Sequence, residues 1–143
     1  MIKLGVGIFP NPTGKQAPAF HSGWSATDPG GFVWIEDASA DLLLEMPPAL
    51  ADILFEIDCF PVELSAPSPQ RLTLFANGQF MGARLLRQRT TLTFHLPREV
   101  VTTRQLRLSL LPGMVEIPKL AGRNSDERAL SVGVFSVCLR SAT

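Results

Sequence analysis

The chain has 143 residues, 45% of them hydrophobic and 18% charged, and its 13 basic side chains balance its 13 acidic ones. That length supports one domain with a real core, spanning residues 1–143, and is short for two. A net charge near zero excludes a long-range field for nucleic acid or anionic lipid, and no window nears the roughly 18–20 apolar residues of a membrane helix.

Residues 1–10 carry a lysine near the start, but the apolar run is broken by Gly5 and Gly7 and stops at Pro10 without a small-residue cleavage site. This predicts a strand rather than an export signal, and makes the cytoplasm the default compartment. An aromatic segment follows. His21-Ser22-Gly23-Trp24-Ser25 is loop-like and continues through Asp28-Pro29-Gly30-Gly31 into Phe32-Val33-Trp34-Ile35, which reads as a strand. Residues 39–46 form another strand, stopped at Pro47-Pro48, and residues 48–51 allow one helical turn at most. Residues 52–60 alternate, with Ile53, Phe55, Ile57 and Cys59 on one face and Glu56 and Asp58 on the other. A strand with one wet face requires this pattern. Residues 61–69, rich in Pro and Ser, read as a connection.

Asn77-Gly78 between residues 71–76 and 79–86 predicts a hairpin, because both residues tolerate positive φ in a type I′ turn. Residues 90–96 form a strand stopped by Pro97, residues 98–101 a short turn, and residues 104–111 a strictly alternating strand ending at Pro112-Gly113. The last strand is expected over residues 129–139. Roughly eight or nine short strands, with no room for helical crossovers, predict an all-β fold: an antiparallel two-sheet sandwich, jelly-roll in topology.

Chemistry concentrates in two places. Trp24 and Trp34 can stack on the C–H faces of sugars, or equally plug the end of a sandwich core. The loop Gly122-Arg123-Asn124-Ser125-Asp126-Glu127-Arg128 sets Asp126 and Arg128 two residues apart, facing one way if the chain is extended. Such a pair can hold a sugar hydroxyl bidentately, or tie its loop to the sandwich as an ion pair. Arg123 and Asn124 read as solvent-facing and available to a ligand. His21 precedes the Gly-Trp pair and could line the same site, whereas His95 lies on the wet face of its strand.

Ser25, His21 and Asp126 could be drawn as a catalytic triad, but no nucleophile elbow accompanies them. Glu36, Asp37 and Asp41 lack a calcium-loop spacing. Gly5-Val6-Gly7 lacks the further glycine and helix of a dinucleotide site. Arg84, Arg87, Arg89 and Arg98 have few aromatics between them, which argues against a nucleic-acid surface. Cys59 and Cys138 lie in apolar strands and read as buried free thiols; with two distant histidines they make no zinc site.

The order Gly23-Trp24, Gly31 to Trp34, Asn77-Gly78 and Ser125-Asp126-x-Arg128-x-Leu130 resembles a family of small bacterial β-sandwich domains found beside glycosyltransferases and surface-polysaccharide proteins. These are of the galactose-binding-like, carbohydrate-binding-module class. The resemblance covers about residues 21–139 and implies a jelly roll. It carries Trp24, Trp34, Asn77, Asp126 and Arg128 over as matching positions; Ser131 departs from it where a glycine is expected.

The expected function is a non-catalytic module that recognises a saccharide, linked by the resemblance to bacterial polysaccharide metabolism. Trp24 would stack and Asp126 and Arg128 would orient hydroxyls, with Trp34, His21, Arg123 and Asn124 as further ligand-binding candidates. No cofactor, metal, nucleic acid or membrane insertion is implied, and self-association is left open. The rival reading is a structural or interaction domain docking a partner such as a glycosyltransferase through residues 110–115. An enzyme ranks third.

Overall fold

The computed structural model describes residues 1–12, 19–48, 50–63 and 68–143. Within them the chain forms nine strands. The first four are β1 (Phe20–Ser22), β2 (Val33–Trp34), β3 (Ala40–Glu45) and β4 (Ile53–Pro61). After these come β5 (Gln70–Ala76), β6 (Gln79–Leu86), β7 (Thr90–Leu96), β8 (Gln105–Pro112) and β9 (Val132–Ser141). A single 3-10 turn, Arg98–Val101, precedes β8. One sheet runs β1-β3-β8-β5-β6 and the other β2-β9-β4-β7. Every pairing is antiparallel. Apart from the β5–β6 hairpin, consecutive strands alternate between sheets, as in the wound arrangement of a jelly roll.

Period-two patterning builds the core directly. Ile53, Phe55, Ile57 and Cys59 face inward from β4 and meet Leu72, Leu74, Leu106, Leu108 and Leu110 from the opposite sheet, all buried in one cluster. Burial, with the Asp58 carboxylate second, pushes the Cys59 thiol up to about 12. Cys138 is free as well, but only half-buried, on the outer face opposite Glu56. Asn77 (φ 48) and Gly78 (φ 80) make the expected hairpin turn. Asn77 is also a tie: its Nδ2 donates to the Val100 carbonyl and its Oδ1 accepts from the Arg107 amide.

Several expectations shift. Residues 1–10 are not a strand: Gly5 turns the chain at φ 80, and only Ile8 bridges Val137 of β9. The segment instead straps the two sheets, the Ile2 amide donating to Glu45 of β3 and the Gly5 amide to Leu139 of β9. β1 was not anticipated, since Gly23 and Ser22 gave its sequence the look of a loop. The last strand starts three residues later than expected, because Leu130 bridges Glu116 and not the sheet. Ser131, where a glycine was expected, is fully buried and donates through Oγ to the Ile35 carbonyl. The expected turn over residues 48–51 includes Ala49, and the connection 61–69 includes residues 64–67; these lie outside the described residues. No described helix is long and apolar enough to cross a membrane.

Candidate functional site

The aromatic segment folds back on itself as a narrow hairpin outside the β2 edge. A turn at Asp28 to Gly31 reverses it, with the Gly31 amide donating to the Asp28 carbonyl and the Asp28 amide to the Phe32 carbonyl. Trp24 then bridges Ile35, while the Ser25 Oγ accepts from the Trp34 amide at 2.9 Å. Residues opposite one another across antiparallel chains share a face, so Trp24 lies on the inward side with Ile35. It packs against the core, edge-on to Phe20 with centroids 5.1 Å apart, and its Nε1 donates to the Asp41 carbonyl at 2.8 Å. Trp34, one residue out of phase, faces the other way.

On that outer side a second, smaller cluster forms from Trp34, Val62 and Leu130, with Phe32 and Phe60 packed against it. The rings meet edge-to-face: Trp34 with Phe60 at 5.1 Å, and Phe32 with Phe60 at 4.8 Å. Two backbone features permit this. The β4–β9 register shifts between Asp58 and Cys59, leaving Phe135 as the extra residue of a bulge that turns it onto Phe32 and Phe60 instead of into the core. Gly133, beside Trp34 in the ladder, supplies the room for Phe60: a Cβ there would overlap the ring.

The loop from Gly113 to Leu130 lies over this cluster, held at its base by Gln70. The Gln70 side chain is buried; its Oε1 accepts from the Gly113 and Met114 amides and its Nε2 donates to the Met114 carbonyl. Within the loop, the Lys119 amide donates to the Asp126 carbonyl and the Asp126 amide to Asn124 Oδ1. Arg128 grips the Asp126 carboxylate through Nε and Nη2 (3.0 and 2.8 Å) and lies 3.6 Å from Glu36. These hydrogen bonds from Arg128 hold the Asp126 carboxyl below its ordinary value and raise Arg128 in turn. Arg123 pairs with Glu63 at 2.7 Å.

Between the loop and the aromatic cluster lies a cavity of about 380 Å³, with Trp34, Val62, Pro118 and Leu130 as its apolar walls. Asp28, Glu63, Arg123, Asn124, Asp126 and Arg128 supply its polar rim. The structure therefore gathers Trp34, Arg123, Asn124, Asp126 and Arg128 at one opening. It does not bring Trp24 or His21 there. Trp24 is turned inward by its register, and His21 is exposed on β1, at the edge of the other sheet. Ser25 is also committed, its Oγ donating to the Ala26 carbonyl, so Ser25, His21 and Asp126 do not assemble into a triad. Asn77 serves its turn.

Trp34 is only 9% exposed, and its Nε1–H finds no acceptor among the described residues. Asn124 likewise keeps its Nδ2 donor unspent there. Two residues lining the cavity thus carry donors without a partner among the described residues, beside apolar walls, a combination that suits a neutral ligand carrying both hydroxyls and C–H faces. The part played by Phe32, Phe60 and Phe135 was missed in the sequence. The usable signal was Phe60 standing on the outer parity of β4. Among the described residues no group of acidic, His or Cys side chains could hold a metal ion.

No protein-family model matches the sequence, and no curated protein does either. Among solved structures, the chain is similar in fold to a xylan-binding module, CBM15, at 17% identity and a TM-score of 0.55, over 99% of this chain and 95% of that one. An acetyl xylan esterase from the rumen bacterium Butyrivibrio proteoclasticus aligns over 80% of this chain but only 25% of its own length, at 12% identity and a TM-score of 0.39. Neither brings support for an association with glycosyltransferases. The β-sandwich that the sequence predicts is thus the architecture of the chain, shared in outline with a carbohydrate-binding module.

Proposed function

We propose that the protein is a non-catalytic carbohydrate-binding module that takes a neutral saccharide unit in the cavity beside Trp34. The reading rests on one observation: an indole whose donor has no partner among the described residues lines a cavity whose rim carries Arg123, Asn124, Asp126 and Arg128. The xylan-binding module of similar fold makes xylo-oligosaccharides the first ligands to try. Asp126 and Arg128 satisfy each other, so they shape the rim and offer their remaining lone pairs and protons, while Trp34 Nε1 and Asn124 Nδ2 donate to hydroxyls. A shallow site of this kind binds on the order of micromolar to millimolar.

Titration of the protein with xylohexaose, followed by amide and indole NMR shifts, tests the proposal. The Trp34 indole and Asn124 side-chain signals are expected to move first. Saturable binding that leaves both unmoved would place the site elsewhere, and no binding to any neutral oligosaccharide would end the proposal.

A second reading, docking of a protein partner, is favoured by the edge strand β6, where Phe80 is 61% and Leu85 53% exposed. Residues 110–115, first expected to form that surface, do not present a continuous patch, since Leu110 is fully buried in the core. Stable self-association or partner capture that is lost in a Phe80→Ser variant would support this reading over the first.

A further inference from the structure

The Trp34 cavity has a neighbour. Val62 and Glu63 line both it and a second cavity of about 550 Å³, a size in the range of roughly 300–1,000 Å³ that small-ligand sites occupy. Its other walls include Phe60, Pro69 and Leu86, and the turn Arg87-Gln88-Arg89 between β6 and β7 closes it. Phe60 touches Trp34, so one aromatic surface runs from the first cavity into the second.

The charges along this groove are almost all spoken for. Arg128 is paired with Asp126, Arg123 with Glu63, and Arg89 with Asp58. Arg89 is held in two ways, by a two-point grip on Asp58 (3.1 and 3.0 Å) and by lying 3.7 Å over the Phe135 ring. That anchor fixes the turn and presents Arg87 at the cavity mouth. Arg87 is exposed, and it is the one guanidinium lining either cavity with no carboxylate partner among the described residues.

We infer that the second cavity is a subsite for a carboxylate-bearing sugar unit, carried by the same chain whose neutral unit lies against Trp34, with Arg87 as the residue that selects it. The inference rests on the Trp34 cavity being a saccharide site. A uronate matches Arg87 in both charge and shape, since a planar guanidinium meets a planar carboxylate through two parallel hydrogen bonds. Phe60 offers the ring's C–H face an apolar wall, and Gln88 a further polar contact.

The test is calorimetric titration of the intact protein with matched oligosaccharides. Each pair has a xylose or glucose backbone of equal length, with and without a glucuronic acid unit, and a sulfated oligosaccharide serves as a third probe. The uronate-bearing chain is expected to bind about three- to tenfold more tightly than its neutral partner, the effect of one solvent-screened, charge-assisted contact. The preference should weaken as salt is raised, fall to parity in Arg87→Gln, and be only partly kept in Arg87→Lys, which retains the charge but not the two-point geometry. Measurable binding with equal affinity for both chains would overturn the subsite and leave the Trp34 reading standing. A sulfated chain bound as tightly as the uronate chain would overturn the carboxylate selectivity, and absence of binding to every chain would overturn both readings.

Discussion

Trp24 and Trp34 sit on the two arms of one hairpin, yet they face opposite sides of the sandwich. Trp24 stands opposite Ile35 and shares its inward face, where its ring meets Phe20 and its N–H is spent on the Asp41 carbonyl. Trp34 lies one residue out of phase, faces outward, and beside a cavity its N–H has no acceptor among the described residues. The identity of the residue, and even the glycine and serine around it, does not distinguish a core plug from a binding surface. Strand parity does, and for a residue in a loop-like segment parity is fixed only once its partner is known.

The comparison can be broken in order of expected effect. Trp24→Ala should cost about 3 kcal/mol of stability, as for other large aromatic truncations in cores, read by urea unfolding. Its folded fraction should keep its affinity for xylohexaose; lost binding at unchanged stability would reverse the roles assigned to the two indoles. Gly133→Val comes next. It forces the Phe60 ring off the strand, and the overpacking should cost about 1–3 kcal/mol and weaken binding, because Phe60 belongs to the outer surface. Trp34→Phe keeps an aromatic ring and removes the donor. It should lower saccharide affinity about tenfold, near 1.4 kcal/mol, with a smaller change in unfolding midpoint.

The smallest effect is the response to acid. Asp126 has a carboxyl lowered in the folded state by hydrogen bonds from Arg128, and Asp52 one lowered by its hydrogen bond with His95. A depressed carboxyl favours folding fully above its unfolded value, and the contribution is lost as pH falls through the folded value. The loop carrying Asp126 should therefore loosen below about pH 4, the range in which an unpaired carboxyl protonates. Faster exchange of the Arg128 amide at pH 3 than at pH 6, after correction for the intrinsic rate, would show it, since that amide donates to Asp126 Oδ1. Unchanged protection would mean that the Arg128 side-chain grip is not what holds the turn.

Much of the scaffold was legible because its physics is local. Residues 53–59 alternate without a break, Asn77-Gly78 admits few turns other than the observed one, and Pro47, Pro97 and Pro112 stop or end their strands. The pairing of Asp126 with Arg128 was legible too, because the two stand only two residues apart. What escaped notice depends on distant chain. Val134-Phe135-Ser136 reads as plain alternation, and only its pairing with β4 creates the bulge that turns Phe135 outward. Gln70 looks like the polar start of a strand until Gly113, Met114 and Ser131 arrive to occupy both ends of its amide. The same distance dependence hid the direction of Trp24.

β9 lies between β2 and β4, and it is the last strand of the described chain. A nascent chain emerging from the ribosome therefore exposes one side of β4, the β9-facing side of β2 and the underside of the aromatic cluster until residues 132–141 arrive. Until then these edges can pair with other chains. Closure also depends on contacts between segments far apart in sequence, the slowest kind to form. The outer surface proposed to bind saccharide should thus be the last part of the molecule to acquire its shape, and protection of Trp34 during refolding should lag behind that of the β5–β6 hairpin.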